Sequence, residues 1–383
     1  MSKSLSSARL VELFSTVFAP KPDRDKSIAF IVDVPNASLA DNDEWRGRRE
    51  MTFDWFEKIK SAREALGFDE VNLLCYENVG KTNADLPATM YTGDFNPSTM
   101  NAEMIKANGQ PFPLYHLYKQ VQIIVAPTEM SATAPLKIAA REFGFRGTTM
   151  PGFTASMLPS LDINYREVHE MIMKFKKRLD VALRADVIFK TLGRHYHFTA
   201  DLRYRTATPS SGILHDPGVV GNLPSGEAYI VPYEGENPEV PSETFGELPV
   251  QFGDEIVVYF IEKNRALRVT TEGPVSRAEQ TLLDEEPAYG NIAEVGLGIL
   301  GKFGMKAAGN ILMDEKLGLH IAFGRSDHFG GITSPASFKN PKNVVHIDRV
   351  YVPSLQPDIV VRNFTLIYAE GTEVLMHDNE WVI

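Results

Sequence analysis

Ile28-Ala29-Phe30-Ile31-Val32-Asp33-Val34 is a short run, apolar except for Asp33, with no polar face along it. It is too short for a typical helix and suits a strand buried on both sides, as in a parallel sheet. Downstream, residues 52–66 place Phe53, Phe56, Ile59, Ala62 and Leu66 at three- and four-residue spacing, which predicts one buried helical face. A strand followed by a helix is the repeating unit of an α/β layer structure, so the first part of the chain is expected to hold a largely parallel sheet. Residues 70–76 and 121–125 read as further strands, and residues 131–143 as a helix. Residues 77–120, rich in Gly, Asn and Pro, predict a long excursion over the sheet edge and outside the core. A third helix is predicted over 165–185, with Val168, Ile172, Phe175, Leu179 and Leu183 as its apolar face, followed by a strand at 185–190.

Beyond residue 193 the texture changes to β-branched and aromatic alternation broken by Gly, Pro and Asn, the pattern of hairpins. The clearest predicted strands are 198–205, 227–232, 255–261, 266–271 and 359–369, with one helix near 276–284. The expected organisation is therefore α+β: an α/β domain over residues 1–192 and a mostly antiparallel, barrel- or sandwich-like domain over 193–383. A length of 383 residues predicts about two to three domains. Acidic residues outnumber basic ones, 50 to 39, for a formal charge of -11, which repels a phosphate backbone and argues against a nucleic-acid partner. The single cysteine, Cys75, lies in an apolar run and reads as a buried structural thiol in a reducing compartment. No stretch is long and apolar enough to suggest a membrane span or a signal peptide, so a soluble, cytoplasmic protein is expected.

Four segments of the second half carry the chemistry. In GNLPSGEAYIVP (221–232) a Pro-Ser-Gly turn delivers Glu227 onto an apolar strand. In IAEVGLGILG (292–301) Glu294 is the only charge, and a carboxylate buried there must be paired, hydrogen-bonded or metal-bound. In DEKLGLHIAFGRSDHFGG (314–331) His320 opens an apolar strand followed by a glycine-rich loop. In VVHIDRVYV (344–352) His346 and Asp348 stand at i and i+2, so on a strand both face one side and reach one ion. Two imidazoles with three carboxylates suit borderline ions such as Zn, Co or Mn, and five protein ligands fit two ions sharing a carboxylate better than one.

The ordered series Asn-Leu-Pro-Ser-Gly-Glu, Ala-Glu-Val-Gly-Leu-Gly, Asp-Glu-Lys with His-Ile-Ala-Phe-Gly, and His-Ile-Asp resembles the signature motifs of the aminopeptidase T family of metallopeptidases. The resemblance implies a homodimeric, two-domain hydrolase with a two-metal centre built by Glu227, Glu294, His320, His346 and Asp348. One position departs from the pattern. Where the family carries a tyrosine seven residues after the first metal-binding histidine, this chain has Asp327, followed by His328. An ionised carboxylate there repels a developing oxyanion, so a phenol would have to come from elsewhere, with Tyr351 and Tyr289 as candidates.

The leading expectation is metal-assisted hydrolysis of an amide or related carbon–nitrogen bond in a small molecule or short peptide. Glu315, or Asp327 with His328, is expected to shuttle the proton. An arginine, Arg325 or one among Arg194, Arg203 and Arg205, is a candidate clamp for a substrate carboxylate. Two alternatives stand beside this. The dihydroxypyridine ring-cleaving dioxygenases, relatives of that family, hold a single Fe(II) with two histidines and an aspartate. In them a histidine matches Glu294, and the positions of Glu227 and His320 are not ligands. The third reading is a binding protein without turnover.

Overall fold

The computed structural model describes residues 4–382, and the chain forms two compact units, 1–169 with 210–225, and 170–209 with 226–383. The first unit is built on a seven-stranded sheet. Its strands are β1 (Ser27–Val34), β2 (Glu70–Glu77), β3 (Thr89–Thr92), β4 (Gln110–Pro113), β5 (Ile123–Ala126), β6 (Arg146–Thr149) and, from later in the chain, β10 (Val220–Asn222). They lie in the order β10-β6-β5-β1-β2-β3-β4. Strands β10, β6, β5, β1 and β2 run parallel, while β3 and β4 are antiparallel additions. Every residue of β1 is buried. Ala29 and Ile31 enter one apolar cluster and Val32 and Val34 another, as expected when both faces of a sheet are covered.

The helix predicted from residue 52 begins nine residues earlier, at Asp43–Ser61, capped by the Asn42 side chain on the Trp45 amide. Its first half hides from an apolar count because two of its buried residues are arginines. Arg49 is neutralised by Asp41 at 2.8 Å and Arg48 by Glu129 at 2.5 Å. Residues 77–120 also differ from expectation. They supply β3, β4 and two short helices, Ala102–Asn108 and Leu114–Gln120, and bury Met90, Met100, Ile105 and Leu117 in the core. Gly, Asn and Pro there cap and turn these short elements rather than marking an excursion outside the core. The helix predicted over 165–185 ends at Leu179, and Leu183, its expected last apolar contact, is 43 % exposed.

The second unit is built on two largely antiparallel sheets, with a helix at Pro274–Glu285. One is eight-stranded and comprises β7 (Arg184–Thr191), β8 (Arg194–Asp201), β12 (Phe245–Phe252), β13 (Glu255–Glu262), β14 (Arg265–Val269), β18 (Val360–Ile367), β19 (Thr372–His377) and β20 (Glu380–Trp381). Its order is β14-β13-β12-β8-β7-β18-β19-β20. The other is five-stranded, from β9 (Thr208–Ser210), β11 (Glu227–Ile230), β15 (Ile292–Gly298), β16 (Leu319–Gly324) and β17 (His346–Tyr351), in the order β17-β16-β15-β11-β9. The domain division expected at residues 192 and 193 falls in the turn of the β7–β8 hairpin. Those strands pair from Arg184↔Asp201 to Thr191↔Arg194, so both lie in the second unit. The two sheets meet through Tyr259 against Phe323 at 5.0 Å and Phe189 against Tyr351 at 4.7 Å between ring centroids. Phe323 and Tyr351 point from one side of the five-stranded sheet, and side chains alternate along each strand. The opposite side carries the site.

Candidate metal centre

On that side β11 presents Glu227 and Tyr229, β15 presents Glu294, β16 presents His320, and β17 presents His346 and Asp348. Register brings them together across neighbouring strands, with Gly296 opposite His320, Glu294 opposite Ala322, and Ala322 opposite Asp348. Two sets of three ligand atoms result, each lying within 4.8 Å of one another: Glu227, Glu294 and His320, and Glu294, His346 and Asp348. Glu294 belongs to both. Its Oε1 lies 3.3 Å from His320 Nε2 and its Oε2 lies 3.3 Å from His346 Nε2. Glu227 Oε2 completes the first set at 3.5 Å from His320 Nε2, and Asp348 Oδ1 the second at 3.5 Å from His346 Nε2.

The backbone fixes both imidazoles. His346 Nδ1 donates to the Arg325 carbonyl at 2.8 Å, and His320 Nδ1 lies 3.4 Å from the Gly318 carbonyl, so in each ring Nε2 is turned to the carboxylates. His320 is fully buried and needs Gly296 beneath it, because a Cβ there would come within 1.9 Å of Nε2. Gly298 does the same for the turn before β16, where a Cβ would meet the Lys316 backbone carbon at 2.4 Å. That close approach brings in Lys316, whose ammonium is buried between Glu227 Oε1, at 2.6 Å, and Glu315.

Burial opposes charge at every one of these groups; at His320, His346, Glu294 and Asp348 the opposite charges outweigh it, and at Glu227 and Glu315 burial prevails. Burial would lower His320, but Glu294 and Glu227 push it up to about 9. His346 is raised well above the usual imidazole range because Asp348 and Glu294 outweigh its burial. Glu294 is held well below the carboxylate range, its burial overcome by hydrogen bonds from the two histidines. Glu315 goes the other way: burial carries it up to about 8, with Lys316 offsetting part of the shift and Glu227 and Asp348 adding to it. The field of this carboxylate cluster favours positive charge at its centre.

The donor set fits divalent metal ions. Glu227 Oε2 and Asp348 Oδ1 are buried without a hydrogen-bond partner, one in each set, and a buried carboxylate oxygen left so is costly unless a cation meets it. Imidazole nitrogen with carboxylate oxygen is a combination that Zn, Co, Mn and Fe all accept.

The other residues singled out in the sequence are distributed differently. Asp327 turns to Arg325, with Nε at 2.5 Å from Oδ1, and burial raises its carboxyl less than that arginine lowers it. His328 packs on Phe329 at 3.9 Å and edge-on to His346 at 5.3 Å between centroids, beside the second set. Burial, with the positive charges of His346 and Arg325, brings His328 down to about 4. The arginines considered as carboxylate clamps are engaged within the chain: Arg325 by Asp327, Arg203 by Asp201 and Glu243, Arg205 by Glu236, and Arg194 by Glu247. Tyr351 and Tyr289 do not supply a phenol either. Their hydroxyls donate to the Pro249 carbonyl at 2.9 Å and to Glu279 at 2.6 Å. The phenol on the ligand side is Tyr229, two residues after Glu227 on the same strand, its ring 4.8 Å from Phe329. Burial and the charges of Glu294 and Glu227 raise its pKa. The i, i+2 relation of Glu227 and Tyr229 was visible in the sequence; Lys316, by contrast, is defined by a partner far along the chain.

No protein-family profile matches the chain, and no curated protein matches it. Solved structures do. The 2,5-dihydroxypyridine dioxygenase from Pseudomonas putida KT2440 superposes with a TM-score of 0.61 at 15% identity, covering 99% of this chain and 98% of that one. AmpT from Thermus thermophilus superposes with a TM-score of 0.54 at 15% identity, covering 98% and 99%. This chain shares their fold over its whole length, and the likeness is a distant one.

Proposed function

We propose that this protein is a metal-dependent hydrolase that cleaves an amide or related carbon–nitrogen bond in a small molecule or short peptide, using two divalent ions of the Zn, Co or Mn type. The observation that supports this reading is the division of Glu294. Each of its oxygens faces a separate histidine and a separate carboxylate, and each of those carboxylates contributes one unpartnered buried oxygen. Glu227, Glu294 and His320 would hold one ion, and Glu294, His346 and Asp348 the other. Bound there, such ions supply Lewis acidity toward a carbonyl and lower the pKa of water. Lys316 holds one oxygen of Glu227 and leaves the other for a ligand role. Glu315, paired with Lys316 and within the field of Glu227 and Asp348, is our candidate to carry a proton to the leaving nitrogen.

A single-Fe(II) dioxygenase is the second reading. It is supported by the likeness in fold to the 2,5-dihydroxypyridine dioxygenase, while Asp327 in place of the peptidase pattern's tyrosine argues against an ordinary peptidase. Metal analysis of untagged protein separates the two: two Zn, Co or Mn per chain are expected, and one Fe per chain would replace the hydrolase reading with the oxidative one. His346→Ala is expected to lose both an ion and turnover; full activity in that variant would remove the proposal.

A further inference from the structure

Glu234 lies just beyond β11, outside the ligand set, yet its carboxylate is the hub of the loop that follows β16. Oε1 accepts from the Ser326 hydroxyl at 2.5 Å and from Asn291 Nδ2 at 2.8 Å. Oε2 accepts from the backbone amides of Ile332 at 2.7 Å and Thr333 at 3.1 Å. One side chain thus ties both ends of the 326–333 loop, and Ser326 and Thr333 are themselves joined, amide to carbonyl, at 2.9 Å. Gly331 makes room for this, since a Cβ there would come within 2.2 Å of the Ser326 hydroxyl and 2.9 Å of Glu234.

The loop bears on one histidine. Arg325, at its start, accepts from His346 Nδ1 through its carbonyl at 2.8 Å and donates its amide to the Val345 carbonyl at 2.8 Å. Further along, His328 and Phe329 each set a ring 5.3 Å from the His346 ring. His320 is held by different means, the Gly318 carbonyl and the space over Gly296.

We propose that Glu234 is a positioning residue for the ion held by Glu294, His346 and Asp348, acting through the loop on the orientation of His346 and leaving the His320 position unaffected. This rests on the two-ion reading. Partners that orient a metal-binding histidine commonly govern affinity by about 10- to 100-fold.

The test is Co(II) titration of the full-length chain, followed by visible absorption and calorimetry. Glu234→Ala is expected to weaken one of two binding events by about 10- to 100-fold and leave the other unchanged. Ser326→Ala, which removes one hydrogen bond and leaves the carboxylate, is expected to weaken the same event by a smaller factor, and it serves if Glu234→Ala folds poorly. In a His346→Ala background Glu234→Ala should add nothing further, whereas in a His320→Ala background its effect should persist. Equal weakening of both events, or none in a wild type that binds two ions, overturns the inference alone. A wild type that takes up no Co(II) overturns the two-ion reading and this inference with it.

Discussion

Gly296→Ala is the sharpest single perturbation of the proposed centre, because it adds one methyl group and leaves every proposed ligand residue in the chain. Gly296 sits in β15 directly across from His320 in β16, and both strands are interior to the five-stranded sheet. The new Cβ would lie 1.9 Å from Nε2, 2.2 Å from Cε1 and 2.7 Å from Cδ2 of the imidazole. A relaxed contact needs about 3.5 Å, so the ring must move by roughly 1.5 Å. Coordination tolerates only about 0.2 Å, and His320 would cease to be a ligand. Overpacking a full interior adds about 1–3 kcal/mol of destabilisation. The assay is unfolding with and without added Zn. At a concentration of about 100 times Kd, an ion stabilises the folded chain by about 2.7 kcal/mol. A 100-fold loss of affinity reduces that to about 0.4 kcal/mol by the same relation. A Gly296→Ala variant that keeps wild-type stoichiometry and the full Zn-linked stabilisation would refute the placement of His320 over Gly296.

Two further substitutions separate the site from the scaffold. Lys316→Met removes the ammonium between Glu227 and Glu315 and should cost the metal-free protein about 3–5 kcal/mol, part of it recovered on adding Zn, as read from urea midpoints. Gly47→Ala, within the Asp43–Ser61 helix and with nothing near the new methyl, should stabilise the protein by about 0.5–1 kcal/mol in the same measurement and leave metal uptake unchanged.

What could be read in the sequence depended on whether a residue declares itself locally. β1 is legible because every residue of it is buried, so its apolar run is the whole signal. The helix from Asp43 is legible only in its second half, since Arg48 and Arg49 are buried by pairing and a charged letter hides a core position. At the site, Glu294 and the His346–Asp348 pair stand out as charges set in apolar or glycine-rich strands. Glu234 and Lys316 do not. Glu234 meets Ser326 across 92 residues of sequence, and Lys316 meets Glu227 across 89, so neither has a local pattern that reveals its partner. The arginines are ambiguous for the same reason: a guanidinium free to clamp a substrate and one paired with Asp327 or Glu236 are the same letter.

The small residues between the proposed ligands carry as much of the design as those ligands themselves. On the ligand side of the five-stranded sheet, Glu227 faces Gly298, Tyr229 faces Gly296, Gly296 faces His320, Glu294 faces Ala322, Ala322 faces Asp348, and His346 faces Gly324. Each ligand therefore has Gly or Ala beside it on a neighbouring strand. Adjacent strands lie only about 4.8 Å apart, so large side chains in those places would fill the space where five polar groups converge. Glycine weakens a strand, and its repeated use in the middle of a sheet needs a local reason. Here the reason is measurable, because a Cβ at Gly296 or Gly298 would intrude on His320 or on the Lys316 backbone. Alternation of ligand with Gly or Ala along Ala-Glu-Val-Gly-Leu-Gly and His-Ile-Ala-Phe-Gly is thus a physical requirement for two clusters sharing Glu294. It also explains how a sheet with one face packed on apolar rings can present buried carboxylates on the other.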